Sequence, residues 1–219
     1  NTHYLGFNAN MLANEMFLDS SSLRSSVVSH AKTLGYVPTS ARASKATVDV
    51  TLNTNDTSAT MPAGTVFNTT VDDVSYQFST ISDVTKSNTG NTIPFVGVDI
   101  YEGSFITTRY TVDSSDVDQR FIITDNRADT TTLTVKVQTS STDSSSNTFT
   151  EATDITQVTT GSNVYFLQEV EAGLFEVYFG DGIIGTALSD DNIVILTYVV
   201  SNKTAANGAA IFTNSAAIA

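Results

Sequence analysis

The hydrophobic period of this chain changes once, and that change dictates most of what can follow. After Ser40, the residues Ala46, Val48, Val50 and Leu52 alternate with Thr47, Asp49, Thr51 and Asn53. A period of two puts one set of side chains on a buried face and leaves the other in water, which is a half-buried strand closed here by an Asn-Asp turn. Further alternating or apolar runs follow at 74–78, 95–101, 105–112, 121–124, 133–137, 164–167 and 175–179. The run at 193–200 is nearly continuous, as a central strand covered on both faces requires. No long helical pattern recurs after residue 40. The stretch 139–148 reads TSSTDSSSNT, a polar loop with nothing to bury.

Before the switch the period is helical. At 100° per residue, Leu5, Ala9, Leu12 and Met16 share one face of a helix over 2–18, and Tyr4, Phe7, Met11 and Leu18 share the opposite one. A helix that is apolar on two sides must be covered on two sides. A second, shorter helix lies within 22–40: the serines Ser20, Ser21 and Ser22 offer N-cap oxygens, Gly35 can leave the helix with positive φ, and Pro38 blocks continuation. Its stripe Leu23, Val27, Ala31 and Leu34 spans an arc of about 80° and is expected to pack on one side of the first helix. That leaves Tyr4, Phe7, Met11 and Leu18, with Val28 and His30 on the second helix, as the candidate assembly interface.

The fold class expected from these periods is mainly β: a short N-terminal helical arm (1–42) followed by antiparallel β-domains, one inserted in the other. The first β-unit is expected at 43–112, rejoined by 190–219, with the insert at 113–189. A chain of 219 residues buries roughly 70% of its unfolded surface and needs no staples. It has no cysteine, so neither disulfides nor thiolate metal sites are available. Ten Lys and Arg against a net charge of -13 cannot track a phosphate backbone, so no nucleic-acid partner is expected. No apolar run is long enough for a membrane span, and no secretory signal is visible. The chain opens at Asn1 and ends in a small-residue tail, which suggests a fragment or processed chain that continues further. Abundant Ser and Thr with few charges is typical of extracellular or virion β-proteins.

Several words of the sequence together carry a family resemblance. LRSSVV followed by GYVPTS, the turn-and-strand MPAGTVF at 61–67, FEVYFGDG at 175–182, and Asn207-Gly208-Ala209 after the long apolar strand occur in that order in the ring-forming baseplate wedge proteins of T-even-type contractile-tailed phages. The chain resembles the N-terminal portion of that family, which is related to the baseplate J-like proteins. The resemblance is weaker between 112 and 164. It implies a structural virion protein, a homo-oligomer that forms a dimer within each wedge and a ring around the tail tube. Other baseplate wedge proteins would be its partners, and it would relay the trigger for contraction. Its location would be the tail baseplate, after assembly in the host cytoplasm. A virion or cell-surface adhesin, or a carbohydrate-binding module, is the alternative for an acidic, threonine-rich β-body.

No catalytic, cofactor or metal residues are expected. The histidines His3 and His30 are read as packing or interface residues, and no nucleophile elbow or zinc motif is present. Gly180, Gly182 and Gly185 fit the dinucleotide fingerprint, but no helix follows and Asp181 would set a negative charge beside the phosphates. Asp181-Gly182 is read instead as a tight hairpin turn. Asp113, Asp116 and Asp118, and the pair Asp190 and Asp191, lack the glycine and glutamate of an EF-hand loop and are read as solvated turns. A glycosidase would need two carboxylates about 5–10 Å apart in a groove.

Overall fold

The computed structural model describes residues 2–36, 38–116, 118–170 and 172–214. It is mainly β, with two helices at the N-terminal end: α1 (Thr2–Glu15) and α2 (Arg24–Thr33). The strands are β1 (Lys45–Asn53), β2 (Ser58–Met61), β3 (Val66–Val71), β4 (Val74–Ser79), β5 (Val84–Ser87), β6 (Thr92–Glu102), β7 (Ser104–Thr111), β8 (Phe121–Ile123), β9 (Ala128–Gln138), β10 (Ser146–Glu151), β11 (Val164–Glu169), β12 (Phe175–Phe179), β13 (Ile193–Val200) and β14 (Thr213–Asn214). The paired strands are antiparallel throughout. Every strand expected from period-two patterning is present. The strand β10 falls partly in the stretch expected as loop, because SNTFTE has a single apolar residue, Phe149, to betray it.

The chain forms two compact units. The first comprises Asn1–Ser40, Ser114–Asn126 and Glu151–Leu188; the second comprises Ala41–Asp113, Arg127–Thr150 and Ser189–Ala219. The division therefore differs from a helical arm plus a single insert. The helices group with 114–126 and 151–188, and β9 with nearly all of β10 groups with the strands on either side of the expected insert. The reason lies in β13, which needs a partner on each edge and takes β7 on one and β9 on the other.

In the second unit, β1-β6-β4-β3-β14 form one sheet, β2-β5 a small ribbon, and β7-β13-β9-β10 a further set. Met61, Phe67, Phe78, Ile93, Phe95, Val98 and Ile100 make the core of the five-stranded sheet, closed at one side by Phe212 edge-on to Phe78 at 5.0 Å. The turn Pro62–Thr65 feeds β3 as the sequence suggests, with Thr65 N donating to Pro62 O and Gly64 at φ +82°. Asp49 departs from simple alternation. It sits at a β-bulge between Val48 and Val50, and its carboxylate accepts from Gly97 N at 2.7 Å. Gly103 joins β6 to β7 where nothing larger fits: a Cβ there would lie 2.2 Å from Val200 O.

In the first unit, β11-β12-β8 form a sheet. By register, Tyr165, Leu167 and Glu169 share a face with Phe175, Val177 and Phe179, and Phe121 meets Phe179 edge-on at 5.6 Å. Glu169 is the acid on this apolar face, and Arg24 of α2 clamps it with two bonds of 2.7 Å. Val28, one helical turn after Arg24, is buried to 6% exposure. The Arg24 clamp ties α2 to the sheet. On the other face Arg120 clamps Glu176, which also accepts from Gln168.

Two substitutions test this architecture. Leu196→Ala, at a fully buried site in β13, will cost about 3 kcal/mol in urea unfolding. Arg24→Met leaves Glu169, itself 2% exposed, without its cation; because the Arg side chain is 59% exposed, the loss will be about 1–3 kcal/mol in thermal melts rather than that of a fully buried pair. Glu169→Leu on that background will recover part of it.

Candidate assembly surface

The helix α1 keeps its apolar residues in the open. Tyr4 is 77% and Leu12 70% exposed, one from each of the two apolar faces. Leu5, Phe7, Met11 and Met16 are exposed as well, as are Phe17 and Leu18 in the turns that follow Glu15. Fully burying a side chain of this size is worth about 1.5–3 kcal/mol. Exposed apolar side chains are denser here than the single scattered ones of an ordinary surface.

The residues expected to close one side of α1 are placed differently among themselves. Leu23 and Leu34 are exposed, and Val27 and Ala31 are half-buried. The residue of α2 that reaches the sheet is Arg24, and the buried one is Val28, each one position on from that stripe. Val28 is accordingly a core residue of its own unit. Half-buried His30 directs Nε2 to Glu15 O at 3.0 Å and so ties α2 to the end of α1.

The capping between the helices is only partly legible in sequence. Gly35, at φ +75°, closes α2 as expected, with Tyr36 N donating to Ala31 O and Gly35 N to Lys32 O. The serines do not cap its start. Ser20 Oγ donates to Asn14 O and Ser21 Oγ to Phe17 O, so they satisfy carbonyls left over where α1 ends. The acceptor for α2 comes from Glu15, whose carboxylate takes bonds from Ser22 N at 2.9 Å, Ser22 Oγ at 2.8 Å and Leu23 N at 3.3 Å. A carboxylate at a helix N-terminus is also favoured by the helix dipole. Nothing short-range in the sequence announces a cap that arrives from the preceding helix.

The other sequence candidates are dispersed. Asp113, Asp116, Asp118, Asp190 and Asp191 are all exposed, and among the described residues no group of three or more His, Asp or Glu is arranged to hold a metal ion. Gly180, Gly182 and Gly185 form a closed loop with no helix after it. Asp181 turns that loop by accepting from Ile183 N and Ile184 N, and Gly180 makes a parallel bridge to Ala187, so the expected two-residue hairpin is replaced by a wider, internally bonded loop.

Glu15 makes the geometry testable by pH. The Ser26 hydroxyl, followed by the Ser22 amide and hydroxyl, holds its carboxyl down to about 2 from an ordinary 4.5. The cap is therefore present above pH 4.5 and is lost as pH falls from there to about 2. The Ser22 and Leu23 amide resonances of the folded protein will shift together with a midpoint near pH 2, and Glu15→Gln will abolish the titration and fray the first turn of α2.

Residues 106–212 match the family described as bacteriophage baseplate wedge protein gp6, third domain. The chain is also 27% identical, over 95% of its length, to the baseplate wedge protein gp6 of Enterobacteria phage T4, and it spans 34% of that relative. Neither match speaks of a baseplate J-like affiliation or of a place at the front of the longer protein. By sequence the chain is similar to a phage baseplate wedge protein, with residues 106–212 corresponding to the third domain of gp6.

Proposed function

We propose that this chain is a structural part of a baseplate wedge in a contractile phage tail. In this reading it pairs with a second copy and with other wedge proteins, contributes to a ring around the tail tube, and relays the contraction trigger. It acts in the virion after assembly in the host cytoplasm, and no chemistry is assigned to it. The observation that carries the reading is α1: a helix apolar on both sides and exposed on both, in a chain similar to a wedge protein of T4.

The interface is assigned to Tyr4, Phe7, Met11 and Leu18, with the Leu5 and Leu12 side available to a second contact. Tyr4 and Met11 stand one heptad apart on α1, the spacing used in helical bundles, and Leu18 follows in the turn after the helix. His30 acts at the edge, by holding α2 against the end of α1. Val28 belongs to the core of the first unit and is a poor probe of the interface.

Met11→Asp and Phe7→Asp place a charge on the proposed contact without touching any strand. Both variants will keep the β circular dichroism of the wild type and fail to form complete wedges in negative-stain images. Complete wedges from either variant would remove α1 from the interface.

A further inference from the structure

We propose that the loop from Gly180 to Thr186 is a rigid apolar plug that docks into a lysine- and arginine-rimmed apolar pocket on a different protein. The inference rests on the wedge reading and names a second contact, separate from α1.

The loop is constructed to hold two isoleucines in solvent. Ile183 is 73% and Ile184 41% exposed at its tip. Beneath them, Asp181 Oδ1 accepts from Ile183 N at 2.9 Å and Ile184 N at 3.0 Å, and Gly182 N donates to Gly185 O at 3.1 Å. The loop is also bonded to the segment before β11: Gly185 N donates to Thr159 O, Thr186 N to Ser162 O, and Thr186 Oγ1 to Asn163 Oδ1. The backbone closes so tightly that a Cβ on Gly180 would lie 2.0 Å from Ile184 O, and Gly185 adopts φ +82° with its Cβ position 3.0 Å from Val164. A tip this constrained has little conformational freedom left to lose. A preorganised apolar tip fills a pocket at a lower entropic cost than a mobile one.

Charge selects the partner. Asp181 stands at the base of the plug and is exposed. The Ile184 and Ile183 amides hold its carboxyl below the usual range, so it is anionic at neutral pH. A second copy of this chain would bring another 23 acidic residues against 10 basic ones. Like charge around an apolar contact disfavours that pairing, whereas a basic rim favours it.

The test uses the full-length protein with the separately purified wedge proteins of the same virus. Ile183→Ser/Ile184→Ser will keep the wild-type melting temperature and self-association but bind one of those partners at least about tenfold more weakly. Because the chain has no cysteine, Ile183→Cys provides a unique thiol. An environment-sensitive fluorophore on it will shift to the blue when that partner is added and less so at raised salt, while the same label on Thr142→Cys in the polar loop will not respond. Equal partner binding by wild type and double variant overturns the plug, as does loss of self-association with partner binding intact. If the wild type binds none of the wedge proteins, the wedge reading itself fails and the plug with it, an outcome distinct from equal binding.

Discussion

Backbone hydrogen bonding along both edges of β13 is the constraint on which the second unit depends. With β7 on one side and β9 on the other, no edge of this strand faces water, and Val194, Leu196, Tyr198 and Val199 are all buried. Such a strand must be apolar on both faces, which is why residues 193–200 read as a nearly unbroken hydrophobic run. Its exit is fixed as firmly as its body. Gly103 lets β6 turn into β7 directly against Val200 O, and the neighbouring Glu102, 1% exposed, accepts from both Asn202 N and Asn202 Nδ2 at 2.9 Å. Glu102 N in turn donates to Ser44 O, and Ser44 Oγ to Asn207 Oδ1. Residues far apart in sequence, just before β1, at the end of β6 and just after β13, thus meet in one polar network, and the ends of two sheets are held in register by it.

The first unit is held by a different balance. Its sheet has few strands, and its helix α2 is tied to it through a clamped carboxylate. Arg24 on Glu169 and Arg120 on Glu176 put a guanidinium on each face of the same short sheet. A buried acid is tolerated there only because a bidentate partner satisfies it. Within the unit α1 is tied to α2 at its last residue, through Glu15, while its apolar side chains stay exposed.

What is legible in the sequence follows from range. Period-two alternation is a property of neighbouring residues, and it locates β1, β4, β6, β7, β9, β11, β12 and β13. The apolar symmetry of α1 is equally local, and the spacing of its side chains is enough by itself to mark the candidate surface. Interactions that join distant residues leave no such trace. Arg24 meets an acid in β11, Glu15 caps the helix that follows its own, and β9 leaves the expected insert to serve β13. Val28 shows the cost of relying on pattern alone: the stripe Leu23, Val27, Ala31 and Leu34 is regular, but the sheet-facing side is set by where Glu169 can receive Arg24. Serine hydroxyls mislead in a similar way, since a hydroxyl can donate to the end of one helix as readily as it accepts at the start of the next.

Charge distribution gives the helical arm and the β-body different parts in the proposed assembly. The net charge of -13 works against any contact between two copies through the body. In α1, by contrast, Glu15 is the only acidic residue, and its carboxylate is occupied in capping α2. In the proposed assembly the arm is the segment with little charge and with apolar surface to bury against a second copy. The glycine loop after β12 has the opposite character, apolar at its tip and anionic at its base, and so suits a partner of opposite charge. One chain can in this way separate self-recognition from recognition of a different subunit, because the two contacts differ in electrostatics and lie on elements that share no residue.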